Sequence, residues 1–514
     1  MSAIRRDLIH AVINSAIISI NGYHDFHGHH YLIERKILTD NILKNDEKTE
    51  AIRLRNKSYD REKILYGEGK RRICENCNKT CLATSFCEYC IQNHLQRNFS
   101  NWTSGNIDID NLIKKCQNES NMPDMVIEWI PYNKLENIKY LTIGGFSEIY
   151  TADWTEGGYN EWDPKRSQLL RFGKQKVILK RLENIERANQ SWFEEAKSHL
   201  TLSNKCSEII PCYGLTQNPN GSYMLVMDKA DLNLREYLQQ NNNKLTWNGG
   251  IKIIYLIIDA LYYIHKAKLI HKDLHSGNIL YSQFNDSWVI SDLGFCGPAD
   301  KSLTSIYGNL PYVAPEVINR KEYTYKSDIY SIAMLMWEIS SGRPPFNNHE
   351  HDYYLATNII NGMRPKITSE IPLKYKNLMV QCWDANPLKR PDIDTLREKI
   401  TEITLYYHNN PNELPQLKTK LDKETNHANT SGKLFTSTIH KFENLPEPKN
   451  ATEEQQEAFH SKLYDFNIPD NIDDLGQSSN HNNEIQKVIN NTTATNLEEE
   501  LYNNPNLYSD EQED

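Results

Sequence analysis

One short run of sequence, HKDLHSGN over residues 271–278, constrains this chain more than any other feature. It places a carboxylate at Asp273 and an amide at Asn278. Fourteen residues beyond Asn278, an apolar strand ends in a DLG triplet that begins with Asp292. Two carboxylates and an amide in this order are the groups needed to orient a hydroxyl and to hold Mg²⁺ against phosphates.

Groups that can bind a nucleotide lie upstream of this run. An apolar strand ends at Lys180, and Glu195 follows fifteen residues later in a helix-like stretch. A Lys–Glu ion pair would hold the ammonium near the α- and β-phosphates, although either residue alone is typical of a protein surface. Residues 141–149 read as strand, turn and strand, and glycine in the turn lets N–H groups approach phosphates. This loop consists of Leu141, Thr142, Ile143, Gly144, Gly145, Phe146, Ser147, Glu148 and Ile149.

With the sequence APE at residues 314–316, these segments resemble the signature set of the eukaryotic protein kinase superfamily over roughly residues 134–402. The catalytic-loop pattern is similar to that of the tyrosine-kinase-like group of Ser/Thr kinases. The resemblance implies an α+β, bilobal protein kinase fold with a small β-rich lobe and a larger helical lobe. It implies ATP and Mg²⁺ as cofactors and proteins as substrates.

The resemblance also implies a role for each matching residue. The implied catalytic residues are Asp273 as base and the ion pair of Lys180 with Glu195. The implied ATP contacts are residues 141–149, Lys180, and the hinge residues Asp228 and Ala230 after Met227. The implied Mg²⁺ ligands are Asn278 and Asp292. Architectural roles are implied for Asp328, which would brace the catalytic loop, and for a pair of Glu316 with Arg390.

The sequence departs from the family pattern in ways that bear on activity. Thr142 and Ser147 occupy two of the three glycine positions of the ATP loop, which predicts a stiffer loop and weaker ATP binding. His275 stands where typical Ser/Thr kinases carry lysine, but residues 310–313 lack the tryptophan expected of tyrosine kinases. We expect transfer of the γ-phosphate to Ser/Thr rather than Tyr hydroxyls. The alternatives are a catalytically weak pseudokinase scaffold and an adaptor built on the cysteine module described next. Candidate phosphorylation sites are Ser302, Thr304, Ser305 and Tyr307.

Two Cys-x₂-Cys pairs lie close together near the N-terminus. They are Cys74 with Cys77 and Cys87 with Cys90, separated by nine residues. Four thiolates at this spacing can bind one tetrahedral Zn²⁺, which would supply folding free energy to a short segment. We predict a structural zinc site, with Cys81 and His94 as possible substitute ligands. Reduced thiols in a metal-free loop, or a disulfide, are the alternatives.

Composition divides the rest of the chain. We predict an N-terminal helical and charged region (1–72), a four-cysteine zinc-binding module (73–95), a linker (96–133), the kinase domain (134–402) and a disordered Asn-rich acidic tail (403–514). Within the first region, the stretch Met1–Ile20 has apolar residues at 9, 12, 13, 16, 17 and 20, the spacing of an amphipathic helix, with a targeting segment as the alternative. Within the kinase domain, residues 151–176 are longer than usual for the family, and we expect an exposed insertion.

The charge of the chain is concentrated at one end. Residues 441–514 have a net charge of −13, so the remaining residues carry +3 of the total of −10. A nearly neutral body gives no electrostatic indication of nucleic-acid binding, and no apolar run approaches the length of a membrane span. We therefore expect a cytoplasmic protein of intracellular signalling that binds neither nucleic acid nor membrane. The sequence leaves the oligomeric state open.

Overall fold

The computed structural model describes residues 5–18, 26–144, 147–182, 192–203, 206, 208–241, 244–283, 287–295, 306–415 and 437–461. The chain divides into one compact unit, Met1–Phe459, and a second, His460–Asp514, of which only the first two residues are described. Within these ranges, no helix combines the length and the apolar character that crossing a membrane requires.

Three helices form the N-terminal region: α1 (Arg6–Ile18), α2 (Phe26–Thr39) and α3 (Asn45–Tyr66). Apolar residues at helical spacing form their common core: Ile9, Val12, Ile13, Ala16, Ile33, Ile37 and Ala51. The amphipathic helix predicted within Met1–Ile20 is present as α1. Helix α3 ends at Gly67, whose φ of +68° gives a left-handed C-cap that glycine adopts without strain.

The cysteine segment consists of β1 (Arg72–Ile73), β2 (Thr80–Cys81) and α4 (Glu88–Arg97). A buried carboxylate on α3, Asp60, attaches this segment to the N-terminal helices. It accepts hydrogen bonds of 2.6–2.8 Å from the N–H and hydroxyl groups of Thr84 and Ser85. Lys63 of α3 donates to Leu82 O at 2.6 Å. Helix α3 and the cysteine segment are therefore joined by buried polar contacts.

The small lobe is built around a six-stranded sheet of order β3-β9-β10-β8-β5-β4. Its elements are α5 (Ile107–Glu119), β3 (Glu128–Trp129), β4 (Leu135–Gly144), β5 (Ser147–Trp154), β6 (Tyr159–Asp163), β7 (Gln168–Arg171), β8 (Gln175–Arg181), α6 (Trp192–Ser203), β9 (Cys212–Gln217) and β10 (Tyr223–Asp228). All strands of the sheet pair antiparallel except β3, which pairs parallel with β9.

Residues 96–133 belong to this lobe, so the prediction of a linker there is wrong. Helix α5 begins at a cap in which the Asn106 side chain accepts from two backbone N–H groups. Its residues Ile109 and Ile113 are fully buried in the same cluster as apolar residues of α6, β9 and β10. Gln117 donates to Ile127 O at 2.7 Å inside the lobe. Burial of this helix and the addition of β3 to the sheet fix the segment.

The insertion at 151–176 is only partly exposed, which corrects the prediction of an exposed insertion. It contains the hairpin of β6 and β7, whose Trp162 and Leu169 are both 8% exposed and lie in one apolar cluster with the cysteine segment. Arg171 in the same hairpin makes a two-bond contact to Glu128 of β3, at 2.9 and 2.7 Å. The insertion therefore joins the small lobe to the cysteine segment.

The large lobe is mainly helical. Its elements are β11 (Leu232–Asn233), α7 (Leu234–Asn241), α8 (Trp247–Lys266), β12 (Ile279–Ser282), β13 (Ser287–Ile290), β14 (Ile306–Gly308), α9 (Pro315–Ile318), α10 (Tyr325–Ser341), α11 (Tyr353–Ile360), α12 (Leu373–Cys382), α13 (Ile393–Asn409), β15 (Thr438–His440) and α14 (Glu453–Ser461). Helices α8 and α10 supply much of its buried apolar core. With the small lobe, this completes the predicted α+β, two-lobed architecture.

The prediction of disorder over 403–514 is wrong for residues 403–415 and 437–461. Helix α13 continues to Asn409, and β15 pairs antiparallel with β14. We call residues 437–459 the C-terminal segment. Phe442 of this segment is 7% exposed and belongs to the core cluster of the large lobe. The remaining residues of the predicted tail lie outside the described part of the chain.

Candidate active site

The catalytic-loop residues lie in the large lobe, where one buried carboxylate holds the backbone of the loop. Asp328 of α10 accepts from the N–H of His271 at 2.8 Å and of Lys272 at 3.0 Å. Lys272 has a φ of +70°, a left-handed conformation that costs free energy for a side chain other than glycine. The contact predicted from the motif is present. Because Asp328 satisfies both donors, it holds the turn that leads into Asp273.

Asn278 lies beside Asp273 and close to Asp292. Its side-chain NH₂ donates to Asp273 O at 2.9 Å, so the amide oxygen stays available as a ligand atom. Ser291, which precedes Asp292, donates both its N–H and its hydroxyl to Asn278 O, at 2.8 and 3.1 Å. The two predicted Mg²⁺ ligands are thus brought together at one end of the β12–β13 hairpin. A carboxylate and an amide oxygen fit the preference of Mg²⁺ for hard oxygen ligands.

Lys180 forms a buried ion cluster with two carboxylates from different elements. Its Nζ lies 2.7 Å from Glu195 Oε1 on α6 and 2.5 Å from Asp292 Oδ1. Burial opposes the charge of Asp292, but the Lys180 ammonium outweighs it and lowers the pKa of that carboxyl. Burial also opposes the charge of Lys180, and the two carboxylates reverse this and raise its pKa. The predicted pair of Lys180 with Glu195 is therefore in contact, and burial raises the pKa of the Glu195 carboxyl.

The nucleotide loop is the hairpin of β4 and β5, and only part of it is described. Gly145 and Phe146 lie outside the described residues. Leu141 and Ile143 are exposed on β4, whereas Ser147 is buried. Ile149 of β5 pairs directly with Lys180 of β8, so the strand leaving the loop runs beside the ammonium. Thr142, Gly144 and Glu148 complete the described part of the loop.

The hinge lies at the end of β10, after the buried Met227. The Asp228 N–H donates to Pro211 O at 2.9 Å. The Asp228 carboxylate accepts from Tyr213 Oη at 3.0 Å, so its side chain is held by the small lobe. A nucleotide base would therefore meet the backbone of the hinge, at the Asp228 carbonyl and at Ala230, rather than the Asp228 side chain.

A serine that sequence reasoning missed occupies the hydroxyl position at Asp273. Ser437 Oγ donates to Asp273 Oδ1 at 2.7 Å, and its Oγ lies 3.1 Å from His275 Nε2. His275 Nδ1 accepts from the Gly277 N–H at 3.0 Å, so the neutral ring carries its proton on Nε2 and donates it to Ser437. The contact spans 164 residues of sequence. In the sequence around Ser437, the only feature that could have indicated this contact is the short run FTSTIHKF.

Of the predicted phosphorylation sites, the structure describes Tyr307 alone. It is 3% exposed on β14, and burial, with Asp273 adding to it, raises the pKa of its hydroxyl. Tyr307 is therefore a buried neighbour of Asp273 rather than an exposed loop hydroxyl. Ser302, Thr304 and Ser305 lie outside the described residues.

The four predicted zinc ligands converge. The sulfurs of Cys74 and Cys90 are 3.7 Å apart, those of Cys77 and Cys87 are 3.6 Å apart, and all four lie within 4.8 Å of one another. Four sulfurs about 2.3 Å from a tetrahedral Zn²⁺ would be separated by about 3.8 Å. The spacing fits a Zn²⁺-sized ion and is too long for a disulfide bond.

The two substitute ligands considered above differ in position. Cys81 forms a second possible ligand group with Cys87 and Glu88. The His94 ring instead contacts the Trp162 ring edge-to-face, with centroids 5.7 Å apart. Burial is the largest influence on the Cys74 thiol, but N–H groups of Cys77 and Asn76 outweigh it and lower its pKa to about 7. This lowered pKa is confined to Cys74, because burial raises the pKa of the Cys87 and Cys90 thiols.

Comparison with known proteins agrees with this geometry. A model of the family described as protein tyrosine and serine/threonine kinase matches residues 135–400, just over half of the chain. The chain is 32% identical over 212 residues to "Dual specificity protein kinase zakA" of Dictyostelium discoideum, covering 38% of this chain and 27% of the relative. It is 31% identical over 207 residues to "Dual specificity protein kinase zak2" of the same organism, covering 35% and 32%.

A third relative is "Probable serine/threonine-protein kinase roco8", also of Dictyostelium discoideum. It is 30% identical over 226 residues, covering 41% of this chain and 12% of the relative. This chain thus spans a third or less of the length of these relatives. The relatives confirm the predicted resemblance to the tyrosine-kinase-like group, and the family implies ATP and Mg²⁺. The chain belongs to the protein tyrosine and serine/threonine kinase family.

Proposed function

We propose that this chain is an active protein kinase that transfers the γ-phosphate of Mg-ATP to serine and threonine hydroxyls of proteins in intracellular signalling. The observation that carries the proposal is the serine hydroxyl 2.7 Å from Asp273 Oδ1. A carboxylate at this distance can orient an acceptor hydroxyl and take its proton. The buried Lys180 cluster supports the proposal further, because it holds an ammonium where phosphate charge would be stabilised.

The division of work among the residues follows from their positions. Asp273 orients the acceptor oxygen and receives its proton. Lys180, held by Glu195, stabilises phosphate oxygens, and the hairpin of β4 and β5 covers them. Asn278 and Asp292 would hold Mg²⁺, which neutralises phosphate charge when bound. No covalent intermediate with the protein is required, so catalysis rests on positioning and electrostatics.

A short side chain occupies the acceptor position beside Asp273. Strand β15, which begins at the residue after Ser437, pairs with β14, and this pairing puts the backbone of Ser437 beside the catalytic loop. A Cβ atom added at Gly308 of β14 would lie only 3.6 Å from Asp273 Oδ1. The hydroxyl that donates to the Asp273 carboxylate from this segment is that of a serine, which supports Ser/Thr acceptors, although the buried Tyr307 hydroxyl of β14 also contacts this carboxylate.

Phosphate transfer from labelled Mg-ATP tests the proposal. The assay uses full-length wild-type protein preincubated with unlabelled Mg-ATP and a mixed set of Ser, Thr and Tyr peptides, whose label is counted after they are separated from the protein. Asp273→Asn should lower the rate by about 10²–10⁴-fold, whereas the exposed Asp394→Asn should act as a matched control. Label on phosphoserine and phosphothreonine is expected. Label on tyrosine would overturn the specificity, and equal rates with Asp273→Asn would favour the pseudokinase scaffold.

A further inference from the structure

The C-terminal segment lies along the large lobe on a series of specific contacts. Its strand β15 forms three residue pairs with β14, from Ile306 to Gly308. His440 Nε2 lies 3.1 Å from Gly308 O. Phe442 is buried, and its ring contacts Tyr353 of α11 with centroids 6.2 Å apart. The segment therefore docks as a strand followed by an aromatic anchor.

Further along, charge and backbone contacts fix the direction of the segment. Glu443 and Glu447 pair with Arg320 and Lys321, at 3.4 and 2.6 Å. The Lys449 N–H then donates to Ile360 O at 3.0 Å. Because acidic residues of the segment face basic residues of the lobe, the segment docks in one register. This register places Ser437 at Asp273.

Beyond Lys449, the backbone of the C-terminal segment lies so close to the large lobe that only glycine fits at position 362. A Cβ atom added at Gly362 would lie 2.3 Å from Ala451 N, and Gly362 has a φ of +99°. Asn450 accepts from the Ala385 N–H at 2.8 Å and donates to Asp384 at 3.0 Å. Backbone and side-chain contacts thus continue well past Ser437, as in a bound peptide.

We propose that the C-terminal segment is an intramolecular substrate of this kinase domain, that Ser437 is its autophosphorylation site, and that the unphosphorylated segment excludes other protein substrates. The inference rests on the proposed kinase function. Ser437 is 7% exposed, and its hydroxyl has both partners that an acceptor requires. Its hydroxyl donates a hydrogen bond to Asp273 and lies within hydrogen-bond distance of His275. The Tyr307 hydroxyl also contacts Ser437, so transfer requires this contact to open and free an oxygen lone pair for the phosphorus.

The transfer balances with Mg-ATP as the only co-reactant. A lone pair of Ser437 Oγ forms the new bond to the γ-phosphorus. The bond from this phosphorus to the oxygen bridging the β- and γ-phosphates breaks, and ADP leaves with that electron pair. The hydroxyl proton passes to Asp273.

Phosphorylation changes the charge at the buried end of the segment. Phosphoserine carries a charge of about −1.5 to −2 at neutral pH. Next to the carboxylate of Asp273, which is 3% exposed, this charge is repelled and poorly solvated. We expect phosphorylated Ser437 to leave the site and the segment to release the acceptor position. The product of the first reaction would then open the site to other proteins.

The first experiment measures where phosphate goes and by which route. Dephosphorylated full-length protein is incubated with Mg-ATP, and phosphate on Ser437 is followed by mass spectrometry. The rate per molecule should not depend on protein concentration, and a heavy-isotope Asp273→Asn chain mixed in should stay unlabelled at Ser437. Thr438→Ala, which removes the neighbouring exposed hydroxyl, is the matched control and should leave Ser437 labelling intact.

The second experiment measures exclusion of substrates. Preincubation with Mg-ATP should raise the activity of wild type and Thr438→Ala toward a serine peptide, but not that of Ser437→Ala. Phe442→Ala should be active without preincubation, through a lower KM at unchanged kcat. If the C-terminal segment is docked in nine of ten molecules, only one in ten can bind a peptide, so the change in KM is about tenfold. Because Mg-ATP in the assay also phosphorylates wild type, the decisive comparison is between Ser437→Ala and Ser437→Ala combined with Phe442→Ala. Equal KM values for these two proteins would refute the exclusion.

A third measurement does not depend on catalysis. In the dephosphorylated protein without nucleotide, hydrogen exchange at residues 438–440 should be slow, and Phe442→Ala should make it fast. Fast exchange in wild type would overturn the inference. If serine peptides are phosphorylated but Ser437 is not, the inference fails and the proposed function stands. If neither is phosphorylated and Asp273→Asn is no different, the proposed function fails, and the inference fails with it.

Discussion

The buried pair of Arg390 and Glu316 offers a sharp test of how the large lobe is held together. The guanidinium donates to both carboxylate oxygens at 2.7 Å, and Arg390 is 2% exposed. It also donates at 2.8 Å to the carbonyl oxygens of Asp384 and Lys326. The contacts join the helix that follows β14 to the segment between α12 and α13. The perturbation we consider is Arg390→Met, which preserves much of the volume and removes all four bonds.

The expected loss of stability follows from the groups that Arg390→Met leaves without a partner. Removing one partner of a buried ion pair leaves an unpaired charge and costs about 3–5 kcal/mol. Two partly buried carbonyls also lose a donor, so we expect a value near the upper end, about 5 kcal/mol. For a domain of this size, about 2 °C per kcal/mol gives a fall in Tm of about 10 °C. Replacing both partners, as in Arg390→Met with Glu316→Leu, removes the unpaired charge and should recover most of the loss.

Thermal unfolding followed by circular dichroism measures these changes in wild type, both single variants and the double variant. The coupling between the two sites is read from the double-mutant cycle. Recovery in the double variant is the decisive result, since it separates an unpaired charge from general damage to packing. A fall in Tm below about 2 °C for Arg390→Met, or strictly additive single effects, would refute the reasoning.

Three further predictions follow from the site, the cysteine segment and the N-terminal helices. Lys180→Met should lower kcat by about 10²–10³-fold, and retention of most activity would show that this ammonium does not act on phosphate. Metal analysis should find zinc in the purified wild type and not in Cys77→Ser, whose Tm should be lower; a metal-free wild type would contradict the zinc site. Burial lowers the pKa of His30 from 6.5 to about 4, so between these pH values the unfolded chain binds a proton that the folded chain does not. Stability should therefore fall by up to about 1.4 kcal/mol per unit as pH drops through this window. His30→Phe, which keeps a ring on Tyr59, should remove this dependence, and an unchanged slope would exclude His30 as its source.

The catalytic groups could be predicted from sequence because their chemistry requires particular residue types in a fixed order. Asp273 and Asn278 lie within one loop, and the spacing to Asp292 is that of one hairpin. The pairing of Lys180 with Glu195 needed the family pattern, because nothing local distinguishes them from surface charges. The convergence of the four cysteines followed from spacing alone, since paired knuckles have few other arrangements.

The errors have two physical origins. For 96–133 a signal was present: Asn106 is a favourable N-cap, and Ile109, Leu112 and Ile113 have helical spacing. The contact of Ser437 had no such signal, because a three-residue strand has no readable period and its partner is far away in sequence. Polar, Asn-rich composition is an average property of a long stretch and does not register single anchoring residues. A few residues such as Phe442 can anchor a segment that composition alone would leave unfolded.

The contact of Trp162 with the cysteine segment changes what can be regarded as a separable fragment. The family match begins at residue 135, yet a fragment cut there would lose the cysteine segment, α5 and strand β3. The cut would leave Trp162 and Leu169 facing water and would turn β9 into an open sheet edge, and both features promote aggregation. Recombinant work on this protein should therefore keep the N-terminal helices and cysteine segment with the catalytic lobes. The boundaries of homology and the boundaries of the folding unit differ here.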